Sequence, residues 1–416
     1  MPSFPKPALR MLLLAALVAV MAVFAVISVQ KALPPSTVII ETGPVGGSYH
    51  DNGLRYAKKL EAAGFKTEVR PNPQSLETID RIESGQPHVD IGFTIQPLDR
   101  SKYPNTLSAG VVELQPLFIF YNASNEGVLK LSQLVGKRVV MPLEKSVTSQ
   151  AARSVLALYG VTPENTTFTY LPIAEAASEL KNGGHDAGFF MLAATNRIIQ
   201  DLAGSKNLAM LSLPQAQGIS RQLDYLKPAV LPLGAYSVQP ELPASDLNVL
   251  SGTVNVMVRK DINPALLYKL LEAMKDSHQA LTLVSSRGEF PTTAGTALDV
   301  HPMAAQWSKT GTPWVFAHFN PILASLIDKY GVFVFVLIVF AEIYRVWHYL
   351  SAMLDFGAAS IAVRILTRLQ KRAQKDIAPG SFSKKMYLVA QRLTTVSDSQ
   401  NKKAQVLLDQ LKPTMT

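Results

Sequence analysis

The sequence predicts an α/β fold of two similar lobes, flanked by an apolar segment at each end of the chain. Short apolar or alternating runs typical of strands alternate with segments of helical periodicity, which favours parallel pairing with right-handed crossovers. The pattern Asp-x-Gly-Phe occurs twice, at residues 90–93 and 186–189, each time after a predicted helix and a glycine. A chain of 416 residues has room for two or three domains.

The first repeat begins with a buried strand at Val38 and continues through a glycine-rich turn, residues 42–50, into a helix that ends at Gly64. Glycine allows a tight turn, and the start of a helix presents unpaired N–H groups that suit an anion or a carboxylate. The rest of this repeat is predicted as a strand at 66–70, a helix from Ser75 to Gly85 and a strand at 89–93.

The second repeat follows an apolar strand at 114–121 and has the same plan, including a polar turn before its first helix. In a pair of such lobes, ligand sites lie beyond the carboxyl ends of the strands. The predicted elements are a strand at 137–141, the turn at 144–149, a helix at 151–159, a strand at 167–171, a helix at 174–181 and a strand at 186–190.

A later strand, 248–258, and a helix, 264–281, are predicted to return the chain to the first lobe. We therefore expect two crossings between the lobes, with hinges near residues 117–121 and 231–237, and closure of the lobes around a ligand. The expected boundaries are 36–120 and 235–318 for lobe 1 and 121–234 for lobe 2.

The apolar segments predict two transmembrane anchors, at 11–30 and 330–349. The alternative for the first is a signal peptide cleaved near Ala32, and the alternative for the second is a buried core helix. Basic residues place 1–10 and the helical tail, 351–416, in the cytoplasm, so residues 36–318 would lie in the periplasm or outside, held by the inner membrane. The tail could lie on an anionic leaflet, dock a partner or be a solvated flank.

Positive charge belongs to the two ends of the chain. Residues 345–416 carry a net charge of +8 and residues 1–31 carry +3, which leaves −2 for the residues between them. This balance does not favour nucleic-acid binding by the central part. The sequence has no cysteine, no metal-binding spacing and no nucleophile elbow or dinucleotide fingerprint, so we expect neither an enzyme nor a cofactor.

The candidate ligand-binding residues lie on the turns of the two repeats. The first turn can offer backbone N–H groups, a hydroxyl and an aromatic wall; the second can offer matching hydroxyl groups, one of which is also expected to cap its helix. Ser75 is either a helix cap or a ligand contact, and of Phe189 and Phe190 one is expected in the core and the other at the cleft. The candidates are Gly46, Gly47, Ser48, Tyr49, Ser75, Gln96, Ser146, Thr148, Ser149 and Phe190.

The ordered set of motifs resembles the TAXI family, the solute receptors of one branch of TRAP transporters. The resemblance covers roughly residues 37–345 and rests on the order of the motifs, since no single one is specific. Its parts are residues 42–49, 75–78, 83–85 before Asp90, 146–148, 180–187, the stretch at Tyr236, His301-Pro302 and 321–328.

The resemblance implies a type II periplasmic-binding-protein fold, a contact from Tyr236, and capture of a small carboxylated solute, an organic acid or an amino acid, for a TRAP-type permease. The family usually has Ser-Gly-Thr where this chain has Ser146-Val147-Thr148, and Asn where it has Thr78, so the solute itself does not carry over. Two anchors and a basic tail also suggest an alternative, a sensor that passes lobe closure through the membrane to the tail.

Overall fold

The computed structural model describes residues 6–123, 130–374, 379–396 and 402–415 and shows a mixed α/β fold. The chain forms two compact units, one up to Lys329 and one from Tyr330 onward. The first unit contains the two lobes. The ends of the predicted cytoplasmic segments, residues 1–5 and 416, and parts of the tail at 375–378 and 397–401, lie outside the described residues.

The first lobe is built on a sheet with the strand order β2-β1-β3-β12-β4. The strands β1, β2 and β3 pair in parallel, because a helix crosses over the sheet between β1 and β2 and another between β2 and β3, and β12 is antiparallel to β3. The elements are β1 (Val38–Thr42), α2 (Ser48–Ala62), β2 (Thr67–Pro71), α3 (Ser75–Ser84), β3 (Ile91–Thr94), β4 (Thr106–Asn122), β12 (Leu247–Arg259), α8 (Pro264–His278), α9 (Pro302–Thr310) and α10 (Trp314–His318).

The second lobe repeats this plan with the strand order β4-β7-β5-β6, in which β5, β6 and β7 are parallel. The predicted repeat is thereby confirmed. Its elements are β5 (Arg138–Met141), α4 (Val147–Ala157), β6 (Thr167–Tyr170), α5 (Ile173–Lys181), β7 (Ala187–Met191), α6 (Arg197–Ala203), β8 (Leu208–Met210), α7 (Ala216–Ser220), β9 (Leu226–Leu231), β10 (Ser237–Val238) and β11 (Glu241–Leu242).

Two long strands are shared by the lobes and connect them. Strand β4 pairs with β12 as far as Pro116 and with β7 from Leu117 onward, so the first crossing lies where the sequence predicts a hinge. The second crossing lies later than the predicted 231–237, in β12, which pairs with β9 at Leu247 and with β3 from Asn255. The residues between the predicted and the observed second crossing belong to lobe 2. There the β10–β11 hairpin packs on an apolar cluster of lobe 2, the second apolar cluster of the fold.

The two Asp-x-Gly-Phe motifs have the same structural role in the two lobes. The Asp90 carboxylate accepts a hydrogen bond from the backbone N–H of Ile39 in β1, at 2.8 Å. The Asp186 carboxylate accepts one from the backbone N–H of Arg138 in β5, at 2.9 Å. Each acid therefore ties the start of one parallel strand to its neighbour, as expected for short acids at strand starts.

The two apolar ends of the chain are both hydrogen-bonded to one residue of lobe 1, Asn263, which also caps α8. The amide of Asn263 donates to the carbonyl of Ala32 at the end of α1 (Lys6–Ala32), at 3.0 Å. Its oxygen accepts from the hydroxyl of Ser325, near the start of α11 (Pro321–Ala373), at 3.3 Å. Both apolar helices are thus attached to lobe 1 at its α8 end.

Among the described residues, one helix, Pro321–Ala373, is long and apolar enough to cross a membrane by length and composition. It includes the predicted span 330–349, whose large apolar side chains are exposed, such as Val332, Phe335 and Trp347. The predicted span 11–30 lies inside α1, of which residues 19–32 form a shorter apolar stretch. Phe24 in this stretch is 73% exposed.

The second unit has an apolar cluster of its own. The helices that form this cluster are the end of α11, α12 (Ser381–Val396) and α13 (Lys402–Met415). After Pro379-Gly380 the structure describes two helices, α12 and α13. The cluster consists of Leu366, Leu369, Tyr387, Ala390, Ala404, Leu407, Leu411 and Met415.

Candidate functional site

A small pocket of about 60 Å³ lies between the lobes, at the carboxyl ends of their parallel strands. The segments that follow β1, β2, β5, β6 and β7 all contribute to its wall, which is where an α/β sheet places its ligand site. The residues lining it are Gly43, Pro44, Ser48, Tyr49, Asn72, Pro73, Ser75, Gln115, Pro142, Ser146, Val147, Thr148, Ile173, Met191 and Leu192.

Four helices begin at this pocket. The first residues of α2, α3, α4 and α5, which are Ser48, Ser75, Val147 and Ile173, all line it. The first N–H groups of a helix have no partner within the helix, and together with the helix dipole they attract negative charge. Two of these helices come from each lobe, so an anion held here would contact both lobes.

The pocket wall contains no Asp, Glu, Lys or Arg among the residues that the structure describes. Acidic residues occur in the first turns of α2, α3 and α5, whereas the first turn of α4 has none. The start of α4, capped by the Ser146 hydroxyl, is therefore the most electropositive of the four. An anion would be held by N–H and O–H groups without a cationic side chain.

Tyr49 leaves a polar atom without a partner at this site. Its side chain lines the pocket and stacks on Phe93 with ring centroids 5.7 Å apart. The hydroxyl group is buried and makes no hydrogen bond. Burial, with the nearby Glu113 carboxylate, raises the pKa of this hydroxyl well above its usual value, so it is a donor at neutral pH. A buried donor without a partner is costly, and a ligand oxygen would satisfy it.

Beneath Tyr49, a buried polar cluster fixes the orientation of Gln115. The Gln115 amide donates to the Glu113 carboxylate at 2.7 Å, and the Asn52 amide donates to the same oxygen at 3.0 Å. Because the NH₂ group of Gln115 is used in this way, its carbonyl oxygen remains for a ligand donor. Burial raises the pKa of Glu113, and the two amide donors oppose that shift.

His278 extends this cluster and should make the protein sensitive to acid. Its Nε2 lies 2.8 Å from the Tyr56 hydroxyl, and burial together with the charge of Arg55 lowers its pKa to about 3. A folded-state pKa below the unfolded value means that protonation favours unfolding. The stability is complete above about pH 6.5 and is lost as the pH falls toward 3.

We expect His278→Gln to remove this loss, because Gln can keep a hydrogen bond to Tyr56 without titrating. Between pH 6.5 and 4.5, the free energy of unfolding of the wild type should fall relative to the variant by up to about 1.4 kcal/mol per pH unit. Thermal unfolding at a series of pH values measures the difference. The exposed His318→Gln is the matched control, and equal pH profiles for all three proteins would contradict the prediction.

The lobes are closed over the pocket by direct hydrogen bonds. The backbone N–H of Ala193 in lobe 2 donates to the Ser48 hydroxyl in lobe 1, at 2.8 Å. The Asn196 amide of lobe 2 donates to the carbonyl of Gly46, at 3.1 Å. On the other side, the Gln96 amide donates to Gln150. These contacts hold the two lobes together around the pocket in a closed state.

Five of the residues predicted from the sequence line the pocket: Ser48, Tyr49, Ser75, Ser146 and Thr148. Four others lie beside it and support its wall. Gly46 and Gly47 form the turn that leads into α2, Gln96 accepts a hydrogen bond from Ser75, and the Ser149 hydroxyl donates to the carbonyl of Pro142. Ser75 is the first residue of α3 and not its cap, since that position belongs to Gln74.

Phe190 and Tyr236 are not brought to the pocket. Phe190 is fully buried against Phe120 in the second apolar cluster, because its side chain points to the opposite face of β7 from Phe189. The Tyr236 hydroxyl donates to the carbonyl of Ala194 in lobe 2. Sequence reasoning missed Asn72, Gln115, Ile173, Met191 and Leu192. Most of these follow directly after a predicted strand, and that position was the available signal.

Two α/β lobes that share two crossing strands and enclose a pocket at their strand ends define the type II periplasmic-binding-protein fold, a two-lobed solute-binding class. Residues 107–306 match the model of the NMT1-like family. The assignment to the TAXI family stays a prediction.

Solved structures with a similar fold include an ancestral arginine-binding protein bound to arginine, with 17% identity and a TM-score of 0.38, covering 58% of this chain and 92% of that chain. Another is the periplasmic aliphatic sulphonate binding protein SsuA from Escherichia coli, with 14% identity and a TM-score of 0.38, covering 59% and 73%. A third is the effector binding domain of a BenM variant, with 13% identity and a TM-score of 0.40, covering 61% and 100%. The strand order and register of the chain itself define its fold.

Proposed function

We propose that this protein is a solute receptor tethered to the inner membrane, which closes its lobes on a small carboxylated solute, an organic acid or an amino acid. The observation that carries the proposal is the meeting of four helix starts at one closed pocket whose described wall has no charged side chain. A carboxylate matches these N–H donors, and the Tyr49 hydroxyl is available to donate to it. No reaction is proposed, because the pocket has no nucleophile–base pair among the described residues.

The membrane part of the proposal is supported by the exposed apolar surfaces of α1 and α11 and by their shared attachment at Asn263. A lobe fixed in this way lies outside the membrane, while the basic residues of both ends favour the cytoplasmic side. Protease added to intact spheroplasts should digest the lobes and spare the tail. Full protection of the lobes would contradict this orientation.

The partner that we propose, a TRAP-type permease, rests on the resemblance to the TAXI receptors. A second candidate function, a sensor, is favoured by one observation, the apolar cluster of the C-terminal unit, which a merely solvated tail would not need. Deleting residues 351–416 distinguishes the two. Solute uptake should survive in a receptor, whereas in a sensor the cellular response to the solute should vanish.

Binding is tested by thermal unfolding of the full chain in lipid nanodiscs with a panel of organic acids and amino acids. At a concentration of about 100 times Kd, a ligand adds roughly 2.7 kcal/mol to the stability of the folded state, so Tm should rise by several degrees. Uncharged and cationic analogues should have no effect. A panel in which no acid raises Tm would contradict the proposed function.

Two substitutions separate the pocket from the core behind it. Phe190→Ala should lower the free energy of unfolding by about 3–5 kcal/mol, because it leaves a cavity, yet change the affinity for the acid less than twofold. Tyr49→Phe should weaken binding roughly tenfold without lowering stability, because it removes a buried hydroxyl that has no partner in the unliganded protein. Thermal unfolding and calorimetric titration measure both. Equal effects of the two substitutions on affinity would show that Phe190 belongs to the site.

A further inference from the structure

We propose that the solute carries an apolar group as well as its acid group, and that this apolar group occupies a second cavity at the mouth of the pocket. This inference rests on the proposed function, since it describes the other end of the same ligand. The ligand class is a monocarboxylic acid with an aliphatic or aromatic tail. A dicarboxylic acid or a strongly polar amino acid would fit the two cavities less well.

The second cavity, which we call the vestibule, has a volume of about 270 Å³. All of its lining residues are apolar except Ser146. They are Pro44, Val45, Pro73, Pro142, Leu143, Ser146, Pro172, Ile173 and Ala174. A site with this lining gains free energy from apolar surface and offers almost no side-chain partner to a polar group.

The vestibule is continuous with the pocket. Both cavities are lined by Pro44, Pro73, Pro142, Ser146 and Ile173. A ligand whose acid group lies at the four helix starts therefore extends into the vestibule when it is longer than the pocket. The part of the site with several polar side chains and the part with only one therefore follow one another along a single path.

The sizes of the two cavities show that the pocket alone is too small for a whole solute. Sites for small molecules in proteins usually have volumes of about 300–1,000 Å³. The pocket, at about 60 Å³, holds little more than an acid group while the lobes are closed. The hydrogen bonds between Ser48 and Ala193 and between Asn196 and Gly46 hold this closed state. The rest of the solute must then lie in the vestibule.

The four prolines explain why the mouth offers fewer polar groups than the pocket behind it. Each lies in a loop that leads from a parallel strand to one of the four helices, and a proline has no N–H group to offer. Val45 and Leu143 continue this surface outward and are exposed, at 66% and 39%. Apolar side chains grouped at the opening of a ligand site indicate that the ligand covers them.

The test is a calorimetric titration of the full chain in nanodiscs with butanoate, hexanoate and octanoate, with empty nanodiscs as the control for partition into lipid. Each added methylene that is buried should tighten binding by up to roughly fourfold. Adipate, which has the length of hexanoate and a second charge, should bind at least about tenfold more weakly than hexanoate. Hexanol, which lacks the acid, should not bind at the pocket.

The variant Val45→Ser/Leu143→Ser removes apolar surface from the vestibule at two exposed positions, so the fold should not change. It should reduce the gain in affinity per methylene between butanoate and octanoate. If each added methylene tightened binding to this variant as much as to the wild type, the tail of the ligand would not lie in the vestibule.

The other outcomes separate this inference from the proposed function. Acids that bind with equal affinity whatever their chain length, or a preference for adipate, would overturn the apolar tail and leave the acid receptor standing. Failure of every acid, including short ones and amino acids, would overturn both. Hexanol that binds as tightly as hexanoate would overturn the acid group as the anchor.

Discussion

Ser146→Asp is expected to abolish acid binding while the protein stays as stable as the wild type. Ser146 caps α4, its hydroxyl accepting a hydrogen bond from the N–H of Ser149 at 3.2 Å, and Asp is an equally good cap. The helix therefore keeps its start. The pocket wall gains a negative charge at the one helix start of the four whose first turn has no acidic residue.

The size of the effect follows from the repulsion between two carboxylates. At a separation of about 4 Å and an effective dielectric constant of about 20, two like charges repel by roughly 4 kcal/mol. Affinity should fall by roughly 700-fold, since each 1.4 kcal/mol is a factor of ten. Calorimetric titration gives the affinity, and thermal unfolding without ligand gives the stability. The loss should be the same for short and long acids, unlike that of the vestibule variant.

Ser146→Asn is the matched control, because Asn also caps a helix but adds no charge. It should bind the acid within a few-fold of wild type. If the Asp variant retained wild-type affinity for acids, the pocket would not be an anion site. In that case the four helix starts would have only a structural role.

The repeat of strands and helices could be predicted from the sequence because its signals are local. Asp90 and Asp186 each precede a strand with the same pattern, and the structure gives both the same hydrogen bond to a neighbouring strand. The serines of the two turns could be placed at the pocket for the same reason. Chain direction brings the carboxyl ends of parallel strands to one edge of a sheet.

Residues whose position depends on distant pairing could not be placed in this way. Phe189 and Phe190 alternate across β7, but the sequence does not say that both faces of this strand are covered by apolar clusters. Gln115 reaches the pocket because β4 passes from one lobe to the other directly after it, at Pro116 and Leu117. The second crossing depends in the same way on the pairing of β12 with β9.

Asn196→Asp is expected to open the lobes and to weaken acid binding by roughly 10- to 100-fold. The side-chain oxygen of Asn196 caps α6, accepting from the N–H of Ile198 at 2.9 Å, and a carboxylate can keep this bond. Its amide donates to the carbonyl of Gly46 and lies 3.5 Å from the Asp51 carboxylate. The substitution replaces that donor with a negative charge facing two oxygens of the other lobe.

The loss of affinity in Asn196→Asp has two causes. One is the loss of a hydrogen bond worth about 0.5–1.5 kcal/mol, and the other is the repulsion between the new carboxylate and Asp51. Both act only in the closed state, so they shift the population toward the open state and reduce the apparent affinity by the same factor. Small-angle scattering should show a larger radius of gyration for the unliganded variant, and calorimetric titration gives the affinity.

The double variant Asn196→Asp/Asp51→Asn is the control that identifies the cause. In this variant one carboxylate, at position 196, again faces one amide, at position 51. If repulsion between the two carboxylates causes the loss of affinity, the double variant should recover most of it. Asp51→Asn alone should change the affinity by less than about threefold. If the double variant bound as weakly as Asn196→Asp, or if Asn196→Asp bound like the wild type, this contact would not control closure. Recovery of affinity in the double variant would show that the contact between α2 and the start of α6 stabilises the closed state.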